Sequence, residues 1–443
     1  MPDDRATATE TATGHATATA TSPAPGPATV AAKGAWSPVE AGPHHVLGPG
    51  AHLPVMTLRE SALASNIAVM QAFVDRHGLV FAPHMKTHMA PALAARQIDA
   101  GAWGVTVASV QQAMVAAEHG IRHVLVANEV LDPAGLAWLG SRPDGDFLSY
   151  VDSVAGVAAA SAAATAVAGS VHVLVEIGFS GGRTGVRSAD AALDVARAAA
   201  AAPGVVLRGV SGYEGGLPTV EAAHAYVAGV LGVARVIRGA GLVRPGEPDN
   251  AHEPGESDDA HEPGEPGRMI LSMGGSAYFD AVVDALADRP TDLDVVLRSG
   301  AYLTHDDGAY EHKTPFHRIP EQGSLRAAIE IWGRVTSVPE PGLALVAVGK
   351  RDAPFDEGLP VVRRLLPRGT PSSVPADLPP GALTVTRMDD QHAYLAVSDG
   401  TEVVPGDVVV LGVSHPCTAF DKWRSIHLVD DADVVVETIG TWF

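Results

Sequence analysis

Short β-branched or apolar runs alternate with Ala-rich windows along most of residues 46–320. A first strand and helix in LPVMTLRESALASNIAVMQAFVDRHG open this region, and a glycine closes the helix. The strand runs that follow are LVFAPH, WGVTVAS, HVLVANEV, FLSYVDS, VHVLVEIG, VLRGVSGYEG, MILSMGGS and DVVLRSGAYL. Such alternation predicts parallel strands joined by helical crossovers, and their number fits an α/β fold of the (β/α)8 TIM-like barrel type.

The pattern changes near residue 320, where β-runs separated by Pro and Gly turns replace the helical windows. We therefore predict a C-terminal β domain over residues 321–443. Residues 1–45 are predicted to be a disordered tail. Residues 244–267, which repeat AHEPGE and contain almost nothing apolar, are predicted to be a disordered acidic insertion in the barrel.

Charge and cysteine content narrow the class of protein. A formal net charge of −21 repels phosphate backbones and anionic membrane surfaces, so we expect neither nucleic acid nor membrane as a partner. The start of the chain lacks a basic region followed by an apolar one, and Cys417 is the single cysteine. Cytoplasmic localisation is the expectation.

Lys86 stands between two histidines in VFAPHMKTHMAPA, directly after a short apolar run. At the C-terminal end of the first barrel strand it points into the barrel mouth, where loss of water and the neighbouring His84 and His88 favour a neutral, nucleophilic amine. Such an amine suits an aldehyde cofactor. A lysine paired with an acid in a loop is the alternative.

A phosphate-binding loop is the natural counterpart of that lysine. Gly274, Gly275 and Ser276 follow a strand and precede a helical window, so that backbone N–H groups and a hydroxyl can cradle a phosphate across the barrel mouth from Lys86. Arg183, in the turn GGRTGVR, is a candidate neighbour of the cofactor ring nitrogen or a surface ion-pair partner. Tyr213 is a candidate cofactor contact or a core tyrosine.

A candidate metal pair lies near the C-terminus, in VSHPCTAFDKWR. His415 and Cys417 are two residues apart after an apolar strand, so both side chains can reach one ion. Imidazole and thiolate suit Zn²⁺. The alternative is a buried, inert cysteine. His305, Asp306 and Asp307 follow the last barrel strand, where they could relay protons, order the metal shell or form a solvated loop.

The combination of PHMKTH, GAWGVTVASVQQA, ANEV, GGRTGVR, MGGS, VLRSGAYLTHDDGAY and HPCTAFDKW resembles the D-serine dehydratase and D-threonine aldolase family. The resemblance runs from about residue 50 to the end, without the insertion. It implies pyridoxal-phosphate enzymes of the alanine-racemase-like fold, with a divalent metal and usually a homodimer.

The resemblance also assigns roles. Lys86 matches the lysine that carries the cofactor, Arg183 the arginine beside the pyridine nitrogen, and Gly275 with Ser276 the phosphate loop. His415 and Cys417 match the metal pair, with Zn²⁺ expected and Mn²⁺ as the other possibility.

The aldolase branch typically shows His-x-Asp where this chain has His-x-Cys. The resemblance therefore favours dehydration of a D-amino acid such as D-serine to pyruvate and ammonia. Retro-aldol cleavage by a metal-dependent D-threonine aldolase is the nearest alternative, and a non-catalytic pyridoxal-phosphate carrier is another. Racemization is disfavoured because no second base is evident.

Overall fold

The computed structural model describes Lys33 and residues 44–48, 51–243, 268–369 and 376–443. The acidic insertion at 244–267 lies outside the described residues, as does almost all of the 1–45 tail, so disorder there stays a prediction. At the end of the predicted tail the prediction is wrong, because His44 and His45 form a short strand that pairs with Val434 and Val435.

The described residues form nineteen strands and nine α-helices. The strands are β1 (His44–His45), β2 (Val55–Arg59), β3 (Val80–Phe81), β4 (Val105–Val107), β5 (His123–Glu129), β6 (Asp146–Val151), β7 (Val171–Ile177), β8 (Val205–Gly212), β9 (Met269–Met273), β10 (Leu293–Leu297), β11 (Ile329–Glu340), β12 (Leu343–Val346), β13 (Val361–Leu366), β14 (Ala376–Asp377), β15 (Leu383–Met388), β16 (Ala393–Val397), β17 (Val408–Gly412), β18 (Ser425–Val429) and β19 (Val434–Gly440). The helices are α1 (Glu60–Arg76), α2 (Pro91–Asp99), α3 (Val110–Glu118), α4 (Pro133–Gly140), α5 (Val154–Ala166), α6 (Ala189–Ala201), α7 (Val220–Gly239), α8 (Phe279–Ala285) and α9 (Ala309–Lys313). Single 3₁₀ turns lie at Met85–Thr87, Pro315–His317, Pro320–Gln322 and Phe420–Lys422.

Strands β3 to β10 form one eight-stranded parallel sheet in the order β3-β10-β9-β8-β7-β6-β5-β4. A parallel bridge between His84 and Thr106 joins the end of β3 to β4 and closes the sheet. The predicted (β/α)8 barrel is confirmed, and each of the eight predicted runs overlaps one of its strands. Helices cover the outside, which is why β9 and β10 are buried along their whole length.

Side-chain caps start several of the barrel helices. The hydroxyl or carboxylate before each helix accepts a backbone N–H of the first turn and so satisfies a donor that the helix leaves free. These capping residues are Ser109, Asp132, Ser153, Ser188 and Thr219.

Two apolar helices belong to this outer layer. The Ala-rich helix α5 runs into β7, as the sequence predicts. Helix α7 is long and apolar enough by length and composition to cross a membrane. Seven of its residues, Val227, Val230 and Leu231 among them, are buried, as in a helix packed on a barrel.

The second domain contains a largely antiparallel sheet of eleven strands. A further correction to the predicted boundaries follows: β2 lies within the range 46–320 predicted for the barrel, but it belongs to this sheet. It pairs with β11 on one side and with β18 on the other. A short buried strand has the same sequence pattern in either sheet.

A buried network of ion pairs fixes β2 in this position. Arg59 lies 2.7 Å from both Glu330 and Asp433. Arg364 lies 2.7 Å from Glu330 and 2.8 Å from Asp433. Each buried charge has partners of the opposite sign, so removal of one member would leave the others uncompensated.

Candidate active site

Lys86 lies in the 3₁₀ turn Met85–Thr87, a few residues after β3 ends, at the mouth of the barrel. Burial lowers the pKa of its ammonium, the thiolate of Cys417 raises it, and the positive charges of Arg183 and Arg298 lower it further; the net change is downward. A lowered pKa increases the fraction of neutral amine, which is the form that attacks a carbonyl or accepts a proton.

Burial favours the neutral form of the two histidines beside Lys86. Burial, with the charges of Lys86 and Arg298, lowers the pKa of His84 well below its usual value. Burial lowers the pKa of His88 to about 4, and its Nδ1 accepts the Ala90 N–H at 3.0 Å. The positive charge that acts on Lys86 therefore comes from the two arginines and not from the histidines that flank it.

Arg298 is a site residue that the sequence reasoning missed. It follows β10 and is 6% exposed; Nη1 donates to Ser272 Oγ at 2.7 Å and to Ser211 Oγ at 3.3 Å, and Nη2 donates to the Gly212 carbonyl at 2.7 Å. A charged residue directly after a buried strand was the signal that identified Lys86, and the same signal was available in VVLRSG.

The glycine loop after β9 needs its glycines. Gly274 has φ +96°, and a Cβ there would lie 2.1 Å from Leu297 Cδ1. The sequence suggested that the backbone N–H groups of this loop are free, but in the structure two of them are occupied. The Gly274 N–H donates to Glu214 at 3.2 Å and the Gly275 N–H at 2.5 Å. The loop therefore holds an oxyanion, and that oxyanion is the fully buried Glu214 carboxylate.

This arrangement bears on how a phosphate would fit. The backbone groups suit an anion, because one is already bound there. Ser276 follows them, and within the described residues no hydrogen bond joins its hydroxyl to Glu214. The residues thus fit a phosphate group, provided that it binds at Ser276 beside Glu214 or displaces the carboxylate from Gly274 and Gly275.

Arg183 and Tyr213 lie against each other at the mouth. The Arg183 guanidinium is 4.8 Å from the centre of the Tyr213 ring. Among the described ion pairs Arg183 has no carboxylate partner, and Tyr213 is 36% exposed. Arg183 is therefore not the surface ion-pair partner, and Tyr213 not the core tyrosine, that the sequence left as alternatives. Burial and the charge of Glu214 raise the pKa of Tyr213.

His415 and Cys417 lie in the loop that follows β17. Asp356 Oδ2 lies 2.8 Å from His415 Nδ1, and its Oδ1 accepts the Thr418 hydroxyl at 3.0 Å. The neighbouring Cys417 thiolate and the Asp356 carboxylate raise the pKa of His415 to about 9. The pKa of Cys417 is lowered: burial opposes its ionisation, but His415, Thr87 and Lys86 outweigh burial.

The pair suits a zinc ion chemically. A thiolate and an imidazole are its usual ligands, and a carboxylate on the other imidazole nitrogen is the common way in which proteins orient a metal-binding histidine. In the described ranges, no three His, Cys, Asp or Glu side chains converge as a complete ligand set. His415 and Cys417 would hold the ion together with substrate or water.

Cys417 brings the second domain to the barrel mouth. Its Sγ is 3.6 Å from Thr87 Oγ1, next to Lys86, and 4.0 Å from the Tyr310 hydroxyl. The structure thus brings together the predicted residues Lys86 and Cys417, although they are more than three hundred positions apart in sequence.

The segment His305–Asp306–Asp307 builds a turn beside this site. His305 Nε2 lies 2.9 Å from Glu311, and Asp307 pairs with Arg363 at 3.1 Å. The Asp306 carboxylate accepts N–H groups at the start of α9. These side chains hold the turn that carries Tyr310 and do not meet the metal pair.

Comparison with known proteins identifies the class. Residues 58–244 match the family model of the alanine racemase N-terminal domain, and residues 328–429 that of a putative serine dehydratase domain. The chain is 27% identical to D-threonine aldolase of Arthrobacter sp. over 390 residues, which is 87% of this chain and 90% of that protein. It is 32% identical to D-threo-3-hydroxyaspartate dehydratase of Delftia sp. strain HT23 over 203 residues, 43% and 53% of the two chains.

Solved structures show the same fold. The crystal structure of D-threonine aldolase from Filomicrobium marinum superposes with a TM-score of 0.69 at 24% identity, over 88% of this chain and 95% of that one. The chain belongs to the alanine-racemase-like, fold-type III family of pyridoxal-phosphate enzymes. Within it, the chain is a lyase of the D-serine dehydratase and D-threonine aldolase group, as its motifs suggested.

Proposed function

We propose that this lyase is a zinc-dependent dehydratase of D-3-hydroxy amino acids, with D-serine or a related compound as substrate and a 2-oxo acid and ammonia as products. The observation that carries the proposal is the thiol of Cys417 beside Thr87 and Lys86 at the barrel mouth. A thiolate with an imidazole favours zinc, whereas a carboxylate in its place would favour harder ions.

Lys86 is the residue that acts at Cα. When bound, pyridoxal phosphate supplies an electron sink that acidifies the α-hydrogen of the amino acid. Lys86 would hold the cofactor between turnovers, and its lowered pKa leaves the amine able to take the α-proton onto Nζ. Arg183, Tyr213 and Ser276 are the proposed cofactor contacts, with Gly274 and Gly275 forming the loop that presents Ser276.

His415 and Cys417 act at the next carbon. Zinc, when bound there, supplies a Lewis acid for the β-oxygen, which is otherwise a poor leaving group. Asp356 holds the His415 ring in one orientation, so that only its other nitrogen faces the site. The unsaturated amine released after loss of water hydrolyses to the 2-oxo acid and ammonia.

Retro-aldol cleavage is the second candidate. The observation in its favour is the long match to aldolases, which includes 3-hydroxy-D-aspartate aldolase of Paracoccus denitrificans at 29% identity over 80% of this chain and 84% of that protein. The same residues would serve, but the Cα–Cβ bond would break in place of the Cβ–O bond. A carrier role is set aside, because the relatives are lyases.

Product analysis separates the two candidates. The holoenzyme with zinc is incubated separately with D-serine, D-threonine and D-threo-3-hydroxyaspartate, and 2-oxo acid with ammonia is assayed beside glycine with aldehyde. We expect 2-oxo acid from at least one substrate and no glycine. Glycine and aldehyde as the main products would replace dehydration by aldol cleavage.

We further propose that the enzyme is a cytoplasmic homodimer that acts on a small molecule. The net charge of −21 supports the expectation that it binds neither nucleic acid nor anionic membranes.

A further inference from the structure

Tyr310 presents a hydroxyl group to the metal pair from the barrel side. It lies in α9, which follows the last barrel strand. Its hydroxyl is 4.0 Å from Cys417 Sγ, and its ring centre is 5.9 Å from that of His415. Within the described part of the chain, the hydroxyl makes no hydrogen bond to an oxygen or nitrogen atom.

The backbone, and not the hydroxyl, holds Tyr310 in place. The Asp306 carboxylate accepts its N–H at 3.0 Å, and the Tyr310 carbonyl accepts the Thr314 N–H at 2.8 Å. The adjoining Ala309 N–H donates to the Ser414 carbonyl at 2.7 Å, which ties the turn to the loop of the metal pair. Loss of the hydroxyl alone should therefore leave this turn intact.

The hydroxyl is linked to the Lys86 turn through Cys417. Cys417 Sγ contacts Thr87, the neighbour of Lys86, and it contacts Tyr310 as well. Thr87, beside Lys86, and Tyr310 thus contact the same sulfur atom. A D-3-hydroxy amino acid carries its acidic hydrogen on Cα and its oxygen on the next carbon, so a substrate whose Cα faces Lys86 places the β-oxygen toward Cys417 and Tyr310.

We propose that the Tyr310 hydroxyl donates a hydrogen bond to the β-oxygen of the substrate and thereby selects 3-hydroxy amino acids. This inference rests on the proposed function. As the Cβ–O bond breaks, its electron pair goes to the oxygen, and the pair released from the Cα–H bond forms the carbon–carbon double bond. The oxygen takes the proton that Lys86 holds and leaves as water, while Tyr310 stabilises its developing charge.

The test uses a substrate that does not need this hydrogen bond. Chloride leaves without a proton donor, so β-chloro-D-alanine is compared with the best D-3-hydroxy substrate on the zinc-loaded holoenzyme. For Tyr310→Phe we expect kcat on the hydroxy substrate to fall about 10²-fold, as for loss of one donor to a developing oxyanion. Turnover of the chloro compound and exchange of the D-alanine α-hydrogen with solvent should stay at the wild-type rate.

Tyr394→Phe is the matched control, since that hydroxyl contacts Asp389 on the second domain. If Tyr310→Phe does not fold, Tyr310→Met removes the same hydroxyl and should give the same split between substrates. Unchanged hydroxy turnover, or equal losses on both substrates, would overturn the inference. A wild-type enzyme that eliminates chloride but converts no D-3-hydroxy amino acid would instead refute the proposed function.

Discussion

Lys86 and Cys417 lie at the same barrel mouth, but the two domains hold them there in different ways. Lys86 follows a strand of a closed parallel barrel, so the sheet itself sets its position. Cys417 lies in a loop after β17, and its position depends on contacts with Thr87, Tyr310 and the His415–Asp356 pair. The barrel therefore provides chemistry at Cα from a rigid frame, and the second domain brings a separate group to Cβ.

The largest expected effect on turnover comes from replacing Lys86, the residue that the barrel positions. Lys86→Ala should remove the visible absorption of lysine-bound cofactor and lower turnover by about 10³-fold or more, because both attachment and proton transfer are lost. Absorption spectra and product assays measure the two effects. Lys350→Ala, outside the barrel mouth, is the control. An unchanged cofactor spectrum in the Lys86 variant would show that another residue carries the cofactor.

The next largest effect on turnover comes from replacing Cys417, which the second domain positions. Cys417→Asp replaces a thiolate by a harder ligand, so dehydration with zinc should fall about 10²-fold while the cofactor stays bound to Lys86. With Mn²⁺ supplied, this variant should gain aldol cleavage of D-threonine, measured as glycine and aldehyde. Cys417→Ser is the matched control and should lose dehydration without the gain. Full dehydration by both variants would mean that Cys417 has no part in the chemistry.

A smaller effect tests the carboxylate in the phosphate loop. Glu214→Gln removes a negative charge that competes with phosphate for the Gly274 and Gly275 N–H groups, because like charges in one site repel. The apoenzyme variant should bind pyridoxal phosphate about tenfold more tightly, by absorbance titration. Pyridoxal without phosphate should bind equally to both proteins. Weaker binding of pyridoxal phosphate by the variant would show that Glu214 braces the loop.

The smallest effect is on stability in the barrel. Burial and the neighbouring Glu176 raise the pKa of Glu129 from 4.5 to about 9, so the folded chain keeps a proton that the unfolded chain loses across that interval. Stability should therefore fall as pH rises between these values and level off above them. Glu129→Gln should remove this slope and raise Tm by about 2 °C or more near pH 8. Glu118→Gln, on the exposed end of α3, should show no such gain. A difference in Tm between Glu129→Gln and the wild type that does not change with pH would rule out the proton held on Glu129.

The difference between the barrel and the second domain also explains which site residues could be predicted from the sequence. Strand ends in a parallel barrel converge on one mouth, so the pattern that located β3 also placed Lys86 in the site. Arg298 also follows the end of a barrel strand, so the same pattern could have placed it in the site. The role of Glu214 could not be read in this way, because its partners lie sixty positions away in another loop. The same holds for Asp356, since the orientation of an imidazole depends on tertiary contacts and not on local spacing.

Short strands set a similar limit on the fold. The pattern VMTLR predicts a buried strand, and β2 is one. The sheet that β2 joins depends on the ion pairs of Arg59 with Glu330 and Asp433, two residues from distant parts of the chain. Hydrophobic periodicity carries no information about such pairs.

The central claim is that the barrel acts at Cα and the second domain at Cβ, and one measurement tests it directly. Holoenzyme freed of zinc with a chelator is incubated with D-serine in deuterated water, and deuterium at Cα and pyruvate are followed together. The account predicts that α-hydrogen exchange continues while pyruvate formation falls about 10²-fold, and that added zinc restores pyruvate. Pyruvate formation at the full rate without zinc, or loss of exchange together with pyruvate while the cofactor stays bound, would contradict it.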